Sequence, residues 1–235
     1  QDLIILIHSL RKIKILSVIF DILLGLFGYL IVKELSNRKY SYLSWLVILF
    51  LPTVILNGSV WAQCDSIYTT FVLLSLYLLL KEKYSLSFLS LGIAFSFKLQ
   101  FIFILPLFII LYFVNKKFKI WNFLLIPLGN IIMCTPVLLM GMPLINCFTT
   151  YLDQTTNYSV YLTRNLANIF TILPNEKIIG YIFFIITGLI FLGLLIYFIK
   201  RKKEITKEEM VSISLLGILI AVYFLPFMHE RYMFM

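Results

Sequence analysis

Long apolar runs, separated by short polar segments, are the feature that most constrains how this chain folds. A helix needs about 20 apolar residues to cross a bilayer, and a slightly shorter run can extend into its flanking loops. Because an open strand cannot satisfy its backbone in lipid, the pattern predicts an all-α polytopic membrane protein with about six full spans. The candidate spans are Ile15–Val32, Leu43–Leu56, Ser66–Leu80, Asn122–Met140, Ile178–Ile199 and Val211–Phe227.

The composition excludes the soluble alternatives. Apolar residues make up 61% of the chain and charged residues 13%, against roughly 45–50% and about 25% in soluble domains. The surplus of apolar side chains has to face lipid, which excludes a soluble globule, a disordered chain and a secreted disulfide scaffold. The formal net charge is +9, but the basic residues form short clusters between apolar runs. That arrangement is typical of membrane loops and does not indicate nucleic-acid binding.

The stretch 86–114 is apolar but is interrupted by Lys98-Leu99-Gln100, and basic residues flank it on both sides. Since basic loops tend to stay in the cytoplasm, both flanks are expected on that side. We therefore predict a short helical hairpin over 86–114, with Lys98 and Gln100 at its outward apex. Half-length helices of this kind occur where backbone lines a cavity rather than lipid.

With this topology, most Lys and Arg residues lie on the cytoplasmic side, as the positive-inside rule requires. Residues 1–235 are predicted to form a single transmembrane domain with a long outer loop at 141–177, in the cell membrane of a bacterium. The chain begins with Gln1 rather than Met. We expect it to be part of a longer membrane protein whose N-terminal span and first outer loop precede it.

Polar residues at the outer end of the second span form the first candidate site. Trp61, Gln63 and Asp65 lie there within five residues of each other. A carboxylate at the membrane boundary can bind a metal, orient a hydroxyl or take its proton. Asp65 also suits the N-cap of a helix that begins near Ser66, and the two roles are compatible.

Two further candidates carry positive charge. Lys98 lies within an apolar stretch, where a cation is costly and indicates function, unless the side chain extends to the interface. His229, Glu230 and Arg231 bring a titratable ring and a guanidinium together at the predicted outer face, although an ordinary boundary cluster has the same composition.

The outer loop and the first span supply the remaining candidates. Polar and aromatic side chains in the loop suit a carbohydrate surface, although a plain solvated connector is equally compatible with them. Cations that precede the first span break the positive-inside rule, so an anionic outer ligand is expected, and Asp21 within the span could pair with Lys14 or Lys98. The loop residues are Tyr151, Gln154, Arg164 and Asn165, and the cations are Arg11, Lys12 and Lys14.

Several strings in this order resemble bacterial polytopic glycosyltransferases of the GT-C type. The segment from Trp61 to Asp65 resembles their W-G-Q-x-D motif, with Ala62 where glycine is usual. The same proteins match the strings 14–21, 97–100, 151–154, 162–165 and 228–232. Phe97-Lys98 and His229-Glu230 also resemble segments of the dolichyl-phosphate-glucose glucosyltransferases of N-glycan assembly.

The resemblance implies a GT-C-like helical bundle and an enzyme that takes a sugar from a polyprenyl-phosphate carrier. The acceptor would be a hydroxyl of a glycan, a lipid-linked oligosaccharide or a cell-wall polymer on the non-cytoplasmic face. It also implies that Lys98, His229, Glu230 and Arg231 bind the lipid phosphate. The catalytic aspartate of such enzymes lies in the first outer loop, so it is expected upstream of Gln1, with Asp65 as the secondary candidate. The residues expected to bind acceptor or sugar are Trp61, Gln63, Asp65, Tyr151, Gln154, Arg164 and Asn165.

Two other functions compete with transfer. A transporter or flippase for lipid-linked sugars would also need many spans and buried cations, and a polysaccharide polymerase would use a polyprenyl diphosphate. No metal ligands are predicted, because Cys64, Cys134 and Cys147 match no metal motif. A divalent cation as cofactor is left open.

Overall fold

The structure, a computed structural model, describes residues 2–36, 39–61, 63, 65–151 and 161–235, and for residues 2–10 it describes the backbone alone. Helices dominate, and the two strands are short. Its elements in chain order are α1 (Asp2–Ser36), α2 (Leu43–Leu49), α3 (Pro52–Ile55), a π-helical turn (Leu56–Val60), α4 (Asp65–Leu80), α5 (Tyr84–Phe97), a 3₁₀ helix (Leu99–Ile104), α6 (Leu105–Val114), a 3₁₀ helix (Ile120–Leu124), α7 (Leu125–Leu139), a helical segment at 146–151, β1 (Thr163–Arg164), a 3₁₀ turn (Ile169–Thr171), α8 (Lys177–Arg201), α9 (Lys207–Phe224), β2 (Met228–His229) and a 3₁₀ turn (Glu230–Phe234).

Three helical stretches in the described part of the chain are long and apolar enough to cross a bilayer: Arg11–Ser36, Ile120–Leu139 and Lys177–Arg201. A fourth is added if Leu43–Leu49 and Pro52–Val60, which are bent by 48° at their break, count as one span. The all-α membrane class is therefore supported, whereas the predicted number of about six full spans is not confirmed. Helices α4, α5 and α9 are apolar but too short or too charged at one end to pass the same test.

The chain divides into two compact units. The first consists of Gln1–Lys98 and Leu125–Ile132 with Phe234, and the second consists of Leu99–Leu124 and Met133–Met233 with Met235.

In the first unit, α4 packs along both α1 and α5. Serine hydroxyls join α4 to α5 within the apolar contact: Ser87 donates to the carbonyl of Ser75 at 2.8 Å, and Ser90 donates to the carbonyl of Phe71 at 2.8 Å. Helix α5 also approaches α7 closely, because Gly92 and Gly129 face each other. A Cβ on Gly92 would overlap the carbonyl oxygen of Ile126, so this contact depends on small residues, as is common between membrane helices.

Lys98 interrupts the apolar stretch 86–114, as the sequence predicts. Helix α5 ends at Phe97, Lys98 adopts an extended backbone with φ −154° and ψ 142°, and a 3₁₀ helix begins at Leu99. The helix therefore breaks at the one charged residue of the stretch. That both arms return to the same side of the membrane stays a prediction.

In the second unit, α6 and α9 pack against each other and against α8. Phe103, Leu166, Ala221 and Val222 form a buried apolar cluster there. The strands β1 and β2 pair in parallel and join the segment that contains Thr163 and Arg164 to the chain after α9. Asn115, which follows α6, joins this part of the chain to the segment before α9: its side chain accepts from the Ile205 amide at 3.0 Å and donates to the Ile205 carbonyl at 3.1 Å.

Candidate functional site

A buried ion pair joins two of the predicted site residues in the first unit. The ammonium of Lys98 donates to Oδ1 of Asp65, and it lies 5.6 Å from the centre of the Tyr68 ring. The Asp65 side chain is 1% exposed and the Lys98 side chain 18% exposed. The apolar position of Lys98 is therefore explained by charge pairing within the protein.

The second oxygen of Asp65 is also engaged. Nδ2 of Asn57 donates to Oδ2 of Asp65 at 2.8 Å. Asn57 lies on the π-helical turn that follows α3, and π-helical turns are often found at functional sites. Both carboxylate oxygens of this buried side chain therefore already accept hydrogen bonds within the protein. Helix α4 begins at Asp65 itself, one residue earlier than predicted.

Asp21 lies against the same turn. Its carboxylate covers Gly58, where an added Cβ would lie 2.5 Å from Oδ2. One turn before it on α1, the Ser17 hydroxyl donates to the carbonyl of Gln63 at 3.1 Å. Among the described residues Asp21 makes no ion pair, and Lys98 pairs with Asp65 instead. The polar face of α1 therefore contacts Gly58 and Gln63, and no described cation pairs with Asp21.

A second cluster forms in the second unit, where the parallel strands align Thr163 with Met228 and Arg164 with His229. Nδ1 of His229 lies 2.8 Å from Oε2 of Glu230. Arg164, His229, Glu230 and Arg231 are all partly buried. The pairing thus joins Arg164, which the sequence assigns to the acceptor, to residues that it assigns to the lipid phosphate.

The chain enters this cluster through a strained residue. Phe227 has φ 64°, a left-handed conformation that is unfavourable for a bulky side chain. Its amide donates to the carbonyl of Leu162 at 2.7 Å, directly before the strand pair begins. Strain of this kind, which costs about 1–3 kcal/mol, tends to occur at functional sites.

An open apolar groove of about 490 Å³ lies in the same unit, between α6, α8 and α9. Phe103, Pro106, Phe184 and Phe191 are among the side chains that line it, and so is Leu225 just after the end of α9. The strand Met228–His229 follows almost directly. The groove is lined almost wholly by apolar atoms, so it suits a hydrocarbon chain.

The other predicted site residues are placed as follows. Trp61 is exposed, and Gln63 and Tyr151 are partly exposed. Asn165 is exposed with φ 53°, a left-handed conformation that asparagine tolerates well. Gln154 lies outside the described residues. That these five residues bind sugar or acceptor stays a prediction, as does a shared phosphate pocket for Lys98 and Arg231.

Sequence reasoning missed Asn57, Gly58, Ser66 and Tyr68 as parts of the buried cluster around Asp65. A signal was available for Asn57-Gly58, since the pair directly follows an apolar run and precedes Trp61. Tyr68 and Ser66 carried no signal of their own. Their positions follow from the start of α4 at Asp65.

No family model, curated protein or solved structure matches this chain. Within the described residues, no group of three or more His, Cys, Asp or Glu side chains is arranged to hold a metal ion.

Proposed function

We propose that this protein transfers a sugar from a polyprenyl-phosphate carrier to an acceptor hydroxyl on the non-cytoplasmic face of a bacterial cell membrane. One observation carries the proposal: in the second unit the chain passes from an apolar groove to a strand pair that bears arginines. Leu225 lines the groove, Met228 begins the second strand, and Arg164, His229 and Arg231 lie at or beside the strands.

This combination matches the two ends of the donor. The groove suits the polyprenyl chain, and the cations suit the phosphate, whose leaving oxygen gains negative charge as the glycosidic bond breaks. Cations held in place beforehand stabilise that charge in the transition state. The guanidinium groups of Arg164 and Arg231 have the planar fork that fits phosphate oxygens.

In the proposed reaction, the acceptor oxygen forms a bond to the anomeric carbon. The bond between that carbon and the phosphate oxygen breaks, and its electron pair leaves with the phosphate. The acceptor proton passes to a carboxylate base. Asp65 is unsuited to that step, because Lys98 and Asn57 engage both of its oxygens, so its proposed role is to hold the first unit in shape.

The finer architecture belongs to the same proposal. It is a GT-C-like bundle of about six full spans, in which α4 and α9 cross the membrane together with longer neighbours. The apex of the hairpin over 86–114 faces outward, and Trp61, Tyr151 and the loop 141–177 contact the sugar and the acceptor.

The test is transfer by the purified full-length protein in lipid nanodiscs, with a panel of radiolabelled undecaprenyl-phosphate hexoses and bacterial membranes as the source of acceptor. Arg164→Ala and Arg231→Ala should each slow release of undecaprenyl phosphate by about ten- to a thousandfold, the range for loss of one charge-stabilising donor. Arg231→Lys should recover part of the rate, because the fork is lost while the charge stays.

The matched control is Lys177→Ala, which removes an exposed cation at the start of α8. It should leave the rate unchanged. Wild-type rates in both arginine variants would refute the phosphate assignment, and no release from any donor in the panel would refute the proposed reaction.

A flippase for lipid-linked sugars is the second candidate, and the bent pair α2 and α3 favours it. Discontinuous helices of this kind occur at the substrate and ion sites of transporters, and here the pair is bent by 48° close to a buried charged cluster. Proteoliposomes separate the two functions. A flippase moves the intact lipid-linked sugar to the opposite leaflet, whereas a transferase cleaves it.

A further inference from the structure

We infer that Asp21, Asn57 and Ser66 form a binding site for a small monovalent cation of the Na⁺ class. The site lies in the first unit and involves none of the groups assigned to the phosphate. The inference does not rest on the proposed transfer reaction.

The three side chains come from three elements that pack against one another. Asp21 belongs to α1, Asn57 to the π-helical turn and Ser66 to the first turn of α4. The carboxylate of Asp21 covers Gly58, the neighbour of Asn57, and the Ser66 side chain lies beside the same carboxylate. Asp21, Asn57 and Ser66 are 6%, 4% and 0% exposed.

Oδ1 of Asp21 and Oδ1 of Asn57 are buried and make no hydrogen bond within the described part of the chain. Oγ of Ser66 is buried as well and lies beside the Asp21 carboxylate, without a hydrogen bond of good geometry to any described residue. Because Nδ2 of Asn57 donates to Asp65, this hydrogen bond establishes which atom of the Asn57 amide is the nitrogen and which is the oxygen. Carboxylate, amide and hydroxyl oxygens are the ligands that hard cations prefer.

The net charge of the buried cluster indicates which charge the bound cation should carry. Asp21 and Asp65 carry two negative charges when ionised, and Lys98 carries one positive charge that is committed to Asp65. With both aspartates ionised, the buried cluster has an excess of one negative charge, and an uncompensated buried charge is strongly unfavourable. A monovalent cation brings the sum to zero, whereas a divalent cation would reverse it.

A proton on Asp21 would neutralise the same charge but would form a single hydrogen bond. A cation contacts all three oxygens at once. Gly58 fits this arrangement, because a side chain there would push the carboxylate away from the site.

The experiment measures thermal unfolding of the full-length protein in nanodiscs, in NaCl, KCl or choline chloride at constant ionic strength and pH 7.5. Na⁺ should raise the Tm in a saturable manner, by about 4–8 °C at a concentration well above its Kd. Asp21→Asn, which keeps the shape and removes the charge, should abolish the dependence on Na⁺. Glu176→Gln, which changes an exposed carboxylate, should retain it.

Binding of ²²Na⁺ to the wild-type protein provides a second measurement that does not depend on whether Asp21→Asn folds. We expect one ion per chain, displaced by unlabelled Na⁺ and not by choline. A Tm that is the same in NaCl and choline chloride, or that responds to pH alone, would overturn the inference in favour of a protonated Asp21. A saturable response to MgCl₂ without one to NaCl would overturn the monovalent assignment. Absence of sugar transfer would leave this result unaffected, so the two proposals fail separately.

Discussion

Substitution of Lys98 by methionine removes the ammonium that faces Asp65 and keeps most of the side-chain volume. The Asp65 side chain is 1% exposed, so its negative charge would be left buried with only the Asn57 amide beside it. Removal of one partner from a buried ion pair costs about 3–5 kcal/mol. At about 2–4 °C per kcal/mol for a domain of this size, the expected fall in Tm is roughly 6–20 °C.

The double variant Lys98→Met with Asp65→Asn is the sharper test of this reasoning. It removes both charges, and replacement of a whole buried pair by neutral groups is often close to neutral. The double variant should therefore recover most of the stability that Lys98→Met loses. In a double-mutant cycle, this recovery is measured as a large interaction energy between positions 65 and 98.

Thermal unfolding in nanodiscs, with SDS titration as a second readout, measures Lys98→Met, Asp65→Asn and the double variant. The matched control is Lys81→Met, which removes the ion pair with Glu34 from a lysine whose side chain is 41% exposed. Exposed pairs contribute little, so this change should be small. Equal losses in Lys98→Met and Lys81→Met, or additive losses in the double variant, would refute a buried structural pair.

Three further predictions follow from other contacts. Gly58→Ala should lower stability by about 1–3 kcal/mol through overpacking, whereas Gly188→Ala, whose added Cβ would meet nothing within 4 Å, should lower the Tm much less. The hydrogen bond from Arg201 lowers the pKa of Glu209 from 4.5 to about 2. The contribution of this pair to stability is therefore present above pH 4.5 and is lost as the pH falls through about 2. In Glu209→Gln, the Tm should depend less on pH over that range. Cysteines placed at Ser85 and at Asn115 should both be labelled from the cytoplasmic side only, and labelling from opposite sides would refute the hairpin.

Lys98 illustrates how the tertiary structure changes an interpretation made from local sequence. A lysine in an apolar stretch is costly, and that reasoning correctly singled it out and placed the helix break there. The identity of its partner was not accessible in the same way, because Asp65 is 33 residues away. With the ion pair known, loss of Lys98 is expected to affect stability as well as any role at the phosphate.

In the second unit, Arg164 likewise shows the difference between what local sequence predicts and what the tertiary structure decides. The sequence placed it in a polar loop and grouped it with acceptor-binding residues. The parallel pairing of β1 with β2 aligns it with His229 instead. Two-residue strands leave no periodic pattern in a sequence, so the pairing was not predictable from local composition.

The sequence by itself determined the membrane class, the helical content and the break at Lys98. It also identified Asp65, Lys98 and His229, each on its own, as candidate site residues. Hydropathy and local charge decide these features, since each depends on the solvation of a short segment. The tertiary structure decided which charges meet, that both oxygens of Asp65 are hydrogen-bonded, and that Asp21 lies over Gly58 with no ion pair to any described residue. Such contacts depend on how α1, α4 and the π-helical turn pack together, and no local pattern specifies that packing.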